Sequence, residues 1–142
     1  MKFIDGVKVY GDTSYRGACP AETAEQVTFF AELKRLWPDV AAVAIHPRNE
    51  GKRSFYQAAK HKAEGMVKGA SDVIIPGCPA LVIEIKRLDH TKSRWEDGQP
   101  EYLEAAKALG ATVCVALGYK AALEAVEEWH TKSKSPAIRF LR

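Results

Sequence analysis

Apolar residues recur along this 142-residue chain with two different periods, and the switches between them mark the elements. Val27, Phe29, Phe30, Leu33, Leu36 and Trp37 follow helical spacing, after a T-x-x-Q capping box at Thr23 to Gln26 and before Pro38. That spacing predicts a helix with a wide buried face. AAVAI, from Ala41 to Ile45, is a short apolar run bounded by Asp39 and His46-Pro47, which predicts a strand and then the loop HPRNEGKR. Ser54 to Gln57 repeats the capping-box form and opens a second helix that Gly65 can close. DVIIP from Asp72 and ALVIEIKRL, joined by a turn around Gly77, read as a hairpin. The polar loop LDHTKSRWEDG leads to helical spacing from Gln99 to Leu109 with Gly110 as C-cap, then the continuous apolar strand TVCVAL and a last helix from Tyr119 to Trp129. At the start, Asp5-Gly6 lies between short apolar runs, the pattern of a two-residue hairpin or of a separate arm.

Helix, strand, helix, hairpin, helix, strand, helix is the order of an α/β sandwich whose sheet is mixed, because the strand after Gly110 returns through a helical crossover. No repeat or low-complexity linker divides the chain. At 15.7 kDa one domain is expected, burying roughly 70% of its unfolded surface.

Composition removes several classes. No apolar run approaches the ~20 residues of a membrane span, and MKFIDGVKVY lacks the apolar stretch of a secretory signal, so a cytoplasmic protein without membrane association is expected. Cys19, Cys78 and Cys114 are odd in number, widely spaced and unaccompanied by a nearby His, which argues for reduced thiols rather than disulfides, structural zinc or a thiol enzyme. Neither G-x-x-x-x-G-K-[ST] nor G-x-G-x-x-G is present, and EGKRS imitates only part of a phosphate loop, so no nucleotide cofactor is expected. The net charge of +3 is mild, but it sits in blocks. Between His46 and Ser71 six basic residues face two acidic ones, and the tail after Glu128 carries Lys132, Lys134, Arg139 and Arg142 with no acid. Blocks of this kind suit a phosphate backbone, and solvated surfaces also produce them.

Candidate chemistry lies on the hairpin. Side chains alternate along a strand, so Glu84 and Lys86 share one face, and antiparallel pairing brings Asp72, at the start of the other strand, beside Glu84. Two hard oxygen ligands suit Mg²⁺, completed by water and substrate phosphate oxygens, with Mn²⁺ as a substitute. A lysine beside them can orient the attacking water and offset charge on phosphorus, as phosphodiester hydrolysis requires. A turn-forming Asp72 and an ordinary ion pair on a sheet face are the plainer alternatives. His46, Asn49, Lys52 and Arg53, with Lys68 further on, form a second set, able to neutralise and position phosphates with little sequence information. The competing reading of that stretch is a solvated loop followed by two core aromatics, Phe55 and Tyr56.

Asp72 followed by Glu84-Ile85-Lys86 resembles the D…(D/E)xK signature of the restriction-endonuclease-like nucleases. The succession HPRNEGKRS, helix, AEGMVKGASDVIIP, LVIEIKR, Gln99-Pro100-Glu101-Tyr102-Leu103 and an apolar strand after Gly110 resembles the virus-type replication-repair nuclease (VRR-NUC) family from about Thr23 to Trp129. The resemblance implies an αβββαβ core, a mixed sheet flanked by helices, over residues 22–130, with 1–21 as an N-terminal arm or hairpin and 131–142 as a basic tail. It implies Asp72 and Glu84 as metal-binding carboxylates, the Ile85 carbonyl as a further ligand and Lys86 as the catalytic lysine. It also implies Glu25 as an acidic residue completing or supporting the metal site, with Glu22 competing for that role and a helix-dipole function as the plainer account of Glu25. Gln99 matches a family glutamine near the site. Ser71 replaces a proline common in the family, and Pro100 directly after Gln99 leaves the helix start open.

The function so implied is a metal-dependent DNA endonuclease acting on branched DNA such as four-way (Holliday) junctions, in a phage or repair setting. A homodimer would place two sites on opposed strands. The alternatives are a flap or general nuclease and a non-catalytic nucleic-acid-binding domain that keeps the fold.

Overall fold

A computed structural model describes residues 1–47 and 54–133. Asn49, Lys52 and Arg53 of the second set, and Lys134, Arg139 and Arg142 of the tail, lie outside the described residues. The elements are β1 (Lys8–Tyr10), α1 (Glu22–Leu36), α2 (Pro38–Ala41), α3 (Phe55–Ala63), β2 (Val73–Ile75), β3 (Leu81–Lys86), α4 (Gln99–Ala108), β4 (Thr112–Leu117) and α5 (Tyr119–Ser133). They build a four-stranded mixed sheet in the order β1, β4, β3, β2, with β2 antiparallel to β3 and the other pairs parallel. The hairpin and the β3–α4–β4 crossover stand where the sequence pattern places them.

Alternation along the strands assigns the two sheet faces. Leu81, Ile83, Ile85, Cys114 and Ala116 pack with Phe29 and Leu33 of α1 and with Ala121, Ala122, Ala125, Val126 and Trp129 of α5. Val82, Val113, Val115 and Leu117 point the other way, onto Leu103 of α4 and Val7. Glu84 and Lys86 continue the face of Val82, where the start of α4 rather than its apolar body lies above them. Burial of Phe29 and Leu33 stabilises the fold by roughly 1.5–3 kcal/mol each.

Several expectations are corrected. AAVAI is not a strand: Pro38 at the first helical position starts α2, and only Ile45 bridges β2, exchanging two 2.9 Å hydrogen bonds with Ile74. The Asp5-Gly6 turn makes no hairpin, because Lys8–Tyr10 pairs in parallel with Cys114–Ala116 as the sheet edge. The capping box at Thr23 is not formed, since α1 begins at Glu22 and Ala21 gives no side-chain cap; the one at Ser54 is, with Ser54 Oγ and Gln57 Oε1 each accepting a backbone N–H at 3.1 Å. The face of α1 is narrower than expected, with Glu25, Phe29 and Leu33 buried and Val27 and Leu36 exposed. Phe55 and Tyr56 are not core aromatics; both are exposed.

Candidate active site

Register brings the carboxylates together. Val73 pairs with Ile83, so one step further out Asp72 lies opposite Glu84, and the Ile85 N–H donates to Asp72 Oδ2 at 2.8 Å. The backbone N–H and C=O of one strand residue point to the same side. The Lys86 carbonyl accepts from Gly118 on the β4 side, so the Ile85 carbonyl faces the Asp72 side. His46 Nδ1 donates to the Asp72 carbonyl at 2.7 Å, a bond that needs the Nδ1-protonated ring and ties the loop after Ile45 to the strand start.

Glu84 is fully buried. Its Oε1 accepts from Gln99 Nε2 at 3.0 Å, whereas Oε2, also buried, has no hydrogen-bond partner among the described residues. Burial and then the neighbouring Asp72 carboxylate hold the Glu84 carboxyl well above the usual range, and Lys86 opposes them only in part. An ionised carboxylate in such a place is costly unless a cation satisfies it.

Lys86, equally buried, donates to the Arg94 carbonyl at 2.7 Å and to Gln99 Oε1 at 3.0 Å, and its ammonium lies 5.2 Å from the centre of the Trp95 ring. Glu22 Oε1 and Glu84 Oε1 are 3.8 and 4.0 Å away, near enough to balance charge but not to accept a short hydrogen bond. Gln99 thus links the acid to the base through its two amide atoms, and its Oε1 also accepts the Glu96 N–H at 2.8 Å. It is the first residue of α4, with Pro100 following where no N–H is needed. Its placement depends on two glycines: a Cβ on Gly69, whose φ is +77°, would land on the Gly98 carbonyl, so the loop before β2 lies directly against the start of α4.

The acidic residue of α1 beside Lys86 is Glu22, whose Oε2 accepts from Ser93 Oγ at 2.7 Å. Glu25 is buried on the stripe of Phe29 and Leu33, with Oε2 against Gly118 at the start of α5 and, like Glu84 Oε2, without a hydrogen-bond partner among the described residues. Burial raises its carboxyl above the ordinary value and the Tyr119 amide opposes that. The structure therefore brings Asp72, Glu84, Lys86, Gln99 and Glu22 together and leaves Glu25 outside the hydrogen bonds and ion pairs that join them. Ser93, Trp95 and the Arg94 carbonyl carry no periodic signal within a polar loop, and nothing in the sequence pattern marks them.

A cleft of about 1310 Å³ opens from this cluster, with Glu22, Gln26, His46, Asp72, Gln99 and Lys62 among its walls. Lys68 also lines it and is ion-paired with Asp97 on the opposite wall. A shallower groove of about 630 Å³ continues past Glu22 between Arg87, Lys92 and Arg94. Among the described residues no three His, Cys, Asp or Glu side chains converge as a metal cluster. The donors that do fit a hard divalent cation are the Asp72–Glu84 pair, with the orphaned Glu84 Oε2, and the Ile85 carbonyl, a set that leaves positions for water and substrate oxygens.

No protein-family model and no curated protein matches the chain. Among solved structures it is similar to a VRR_NUC domain protein, with a TM-score of 0.62 and 24% identity over 80% of this chain and 89% of that one. The likeness shows the fold alone: a mixed sheet flanked by helices, similar to that of the VRR_NUC domain protein and in line with the fold that the sequence resemblance implies. No helix among the described residues is long and apolar enough to cross a membrane.

Proposed function

We propose that the protein is a metal-dependent nuclease that hydrolyses phosphodiester bonds in DNA. The observation that carries this reading is a buried acid and a buried base, Glu84 and Lys86, bridged by one glutamine at the mouth of a cleft, with a carboxylate oxygen left unpartnered beside Asp72. Asp72, Glu84 and the Ile85 carbonyl would hold the divalent ion, Mg²⁺ with Mn²⁺ as substitute. When bound, such an ion polarises a phosphoryl oxygen and makes a coordinated water more acidic.

The protein's own groups do the rest. Lys86 spends two of its three ammonium protons on Arg94 and Gln99, which fixes its direction and leaves one donor for a water or phosphate oxygen. Gln99 keeps Glu84 turned toward Asp72, and Glu22, itself held by Ser93, offsets the lysine charge. His46 holds the Asp72 backbone, and Lys62 adds positive charge along the cleft, where Lys68 is already paired with Asp97. Branched DNA, four-way junctions in particular, is the proposed substrate, and a homodimer the arrangement that sets two such sites on opposed strands.

Cleavage of labelled four-way junction, flap, linear duplex and single-stranded DNA with Mg²⁺ or Mn²⁺ tests this, beside EDTA and Lys86→Ala controls. Metal-dependent cutting that disappears in Lys86→Ala is expected, with the junction cut fastest. Binding without cutting in either metal would overturn the enzyme reading and leave a nucleic-acid-binding domain in its place.

A further inference from the structure

α3 contributes no buried residue to the fold, yet it carries two aromatic side chains, Phe55 at 93% and Tyr56 at 76% exposure. Burial on folding therefore does not account for them. Helical spacing puts Phe55, Ala58 and Lys62 on one stripe, and Ala58 and Lys62 line the cleft that holds Asp72. The Phe55 ring thus extends the cleft wall outward, with Tyr56 about 100° around the helix. From Phe55 to Ala63 the helix has no acidic residue, and Lys60 and Lys62 stand in its last turn. An exposed ring flanked by cations beside a cleft suits a polyanion that also offers flat aromatic faces.

We infer that Phe55, assisted by Tyr56, stacks on an unpaired base of the DNA strand entering the cleft, so that the bound DNA has a base outside the double helix next to the reacting phosphate. The inference rests on the nuclease reading for where the strand lies, and adds which strands are accepted. Bases inside a continuous duplex are stacked on both faces and offer a ring nothing; an unpaired one in a flap or single strand does, and a four-way junction, whose arms are paired, supplies one only where a pair opens at the branch point. Lys60 and Lys62 hold the neighbouring phosphates, and stacking supplies selection for DNA structure without selection for sequence.

The test measures binding of the whole protein, in EDTA so that nothing is cut, to a single-stranded oligonucleotide containing 2-aminopurine and to the same oligonucleotide in a blunt duplex. Wild type should bind the single strand and quench 2-aminopurine fluorescence. Phe55→Ala should weaken single-strand binding about tenfold, lose the quench and leave duplex binding within about twofold, whereas Phe55→Trp should keep both. Far-UV circular dichroism and light scattering accompany each variant. Equal effects on both DNAs, no effect on either, or no binding by wild type would overturn the inference. So would a dimer that falls apart in Phe55→Ala with DNA binding unchanged, which makes this face a contact between copies. The two readings separate: a Phe55-dependent quench in a protein that cuts no DNA removes the nuclease, and metal-dependent cutting without the quench removes the stacking.

Discussion

Glu22 and Glu25 are three residues apart on one helix, and the difference in their surroundings decides which of them serves the cleft. Glu25 continues the stripe of Phe29 and Leu33, so pointing inward takes it under the start of α5, while Glu22 meets Ser93 and approaches Lys86. If the proposed nuclease reading holds, Glu22→Gln should slow DNA cleavage on the order of 10- to 100-fold, the effect typical of losing an outer partner of a site, here of Lys86, with little change in melting temperature. Glu25→Gln should leave cleavage within about twofold. Because burial raises its carboxyl, the ionised form costs native stability at pH 7. The Gln variant should therefore melt no lower than wild type there, and the two curves should converge as pH falls toward the ordinary glutamate value. Cleavage lost in Glu25→Gln at unchanged melting temperature would instead put Glu25 in the chemistry. The spacing of Glu25 to Phe29 and Leu33 is compatible with an inward side chain, but a core and a cleft are both inward; only the packing of α5 on α1 separates them. Asp72, Glu84 and Lys86 were easier to read, because strand alternation fixes direction from local geometry alone, whereas Gln99 was pointed to by the family resemblance and not by its helix start.

Elements were legible where one force dominates and illegible where two compete. β4 is an apolar run buried beyond Thr112, β3 is a buried strand whose apolar run is broken only by the alternating Glu84 and Lys86, and α4 and α5 have helical spacing with glycine next to their ends, so their positions follow from pattern. AAVAI misleads because alanine suits either state: Pro38, ideal at a first helical position, recruits Ala41 to α2 and leaves only Ile45 for the sheet. The contact between Gly69 and Gly98 is a property of two elements meeting, which no local pattern encodes. Gly69→Ala adds positive-φ strain and a methyl group driven into backbone, so a loss of about 2 kcal/mol or more and a melting temperature lower by about 5 °C are expected. Cleavage should fall as well, since Gln99 follows directly on Gly98. Gly110 shares the positive φ but has open space around it, so Gly110→Ala should show the strain alone and cut DNA at the wild-type rate.

At the scale of the whole molecule, the segment before α1 is bound to the sheet and to the site loop rather than standing apart as an arm. The Trp95 indole that covers Lys86 donates to the Lys2 carbonyl at 2.7 Å, Arg87 reaches the carbonyls of Cys19 and Pro20, and Asp89 accepts the Gly17 N–H. Three paired residues and a single turn are too short a signal for β1 to stand out, because the strand exists only against β4. Its outer tie is Glu128 of α5, which accepts from Lys8 at 3.0 Å, Tyr10 at 2.9 Å and Lys132 at 3.0 Å, and these partners lower its carboxyl to about 2. A carboxyl lowered on folding stabilises the native state fully above its ordinary value near 4.5, and that contribution disappears as pH falls through about 2. Glu128→Gln should therefore melt below wild type by a constant margin from neutral pH down to about 5. The margin should shrink between there and about 2, where both carry a neutral side chain. Because these charges are exposed, salt should narrow it at pH 7 as well. A margin independent of both pH and salt would mean that Glu128 holds the sheet edge by packing rather than by charge.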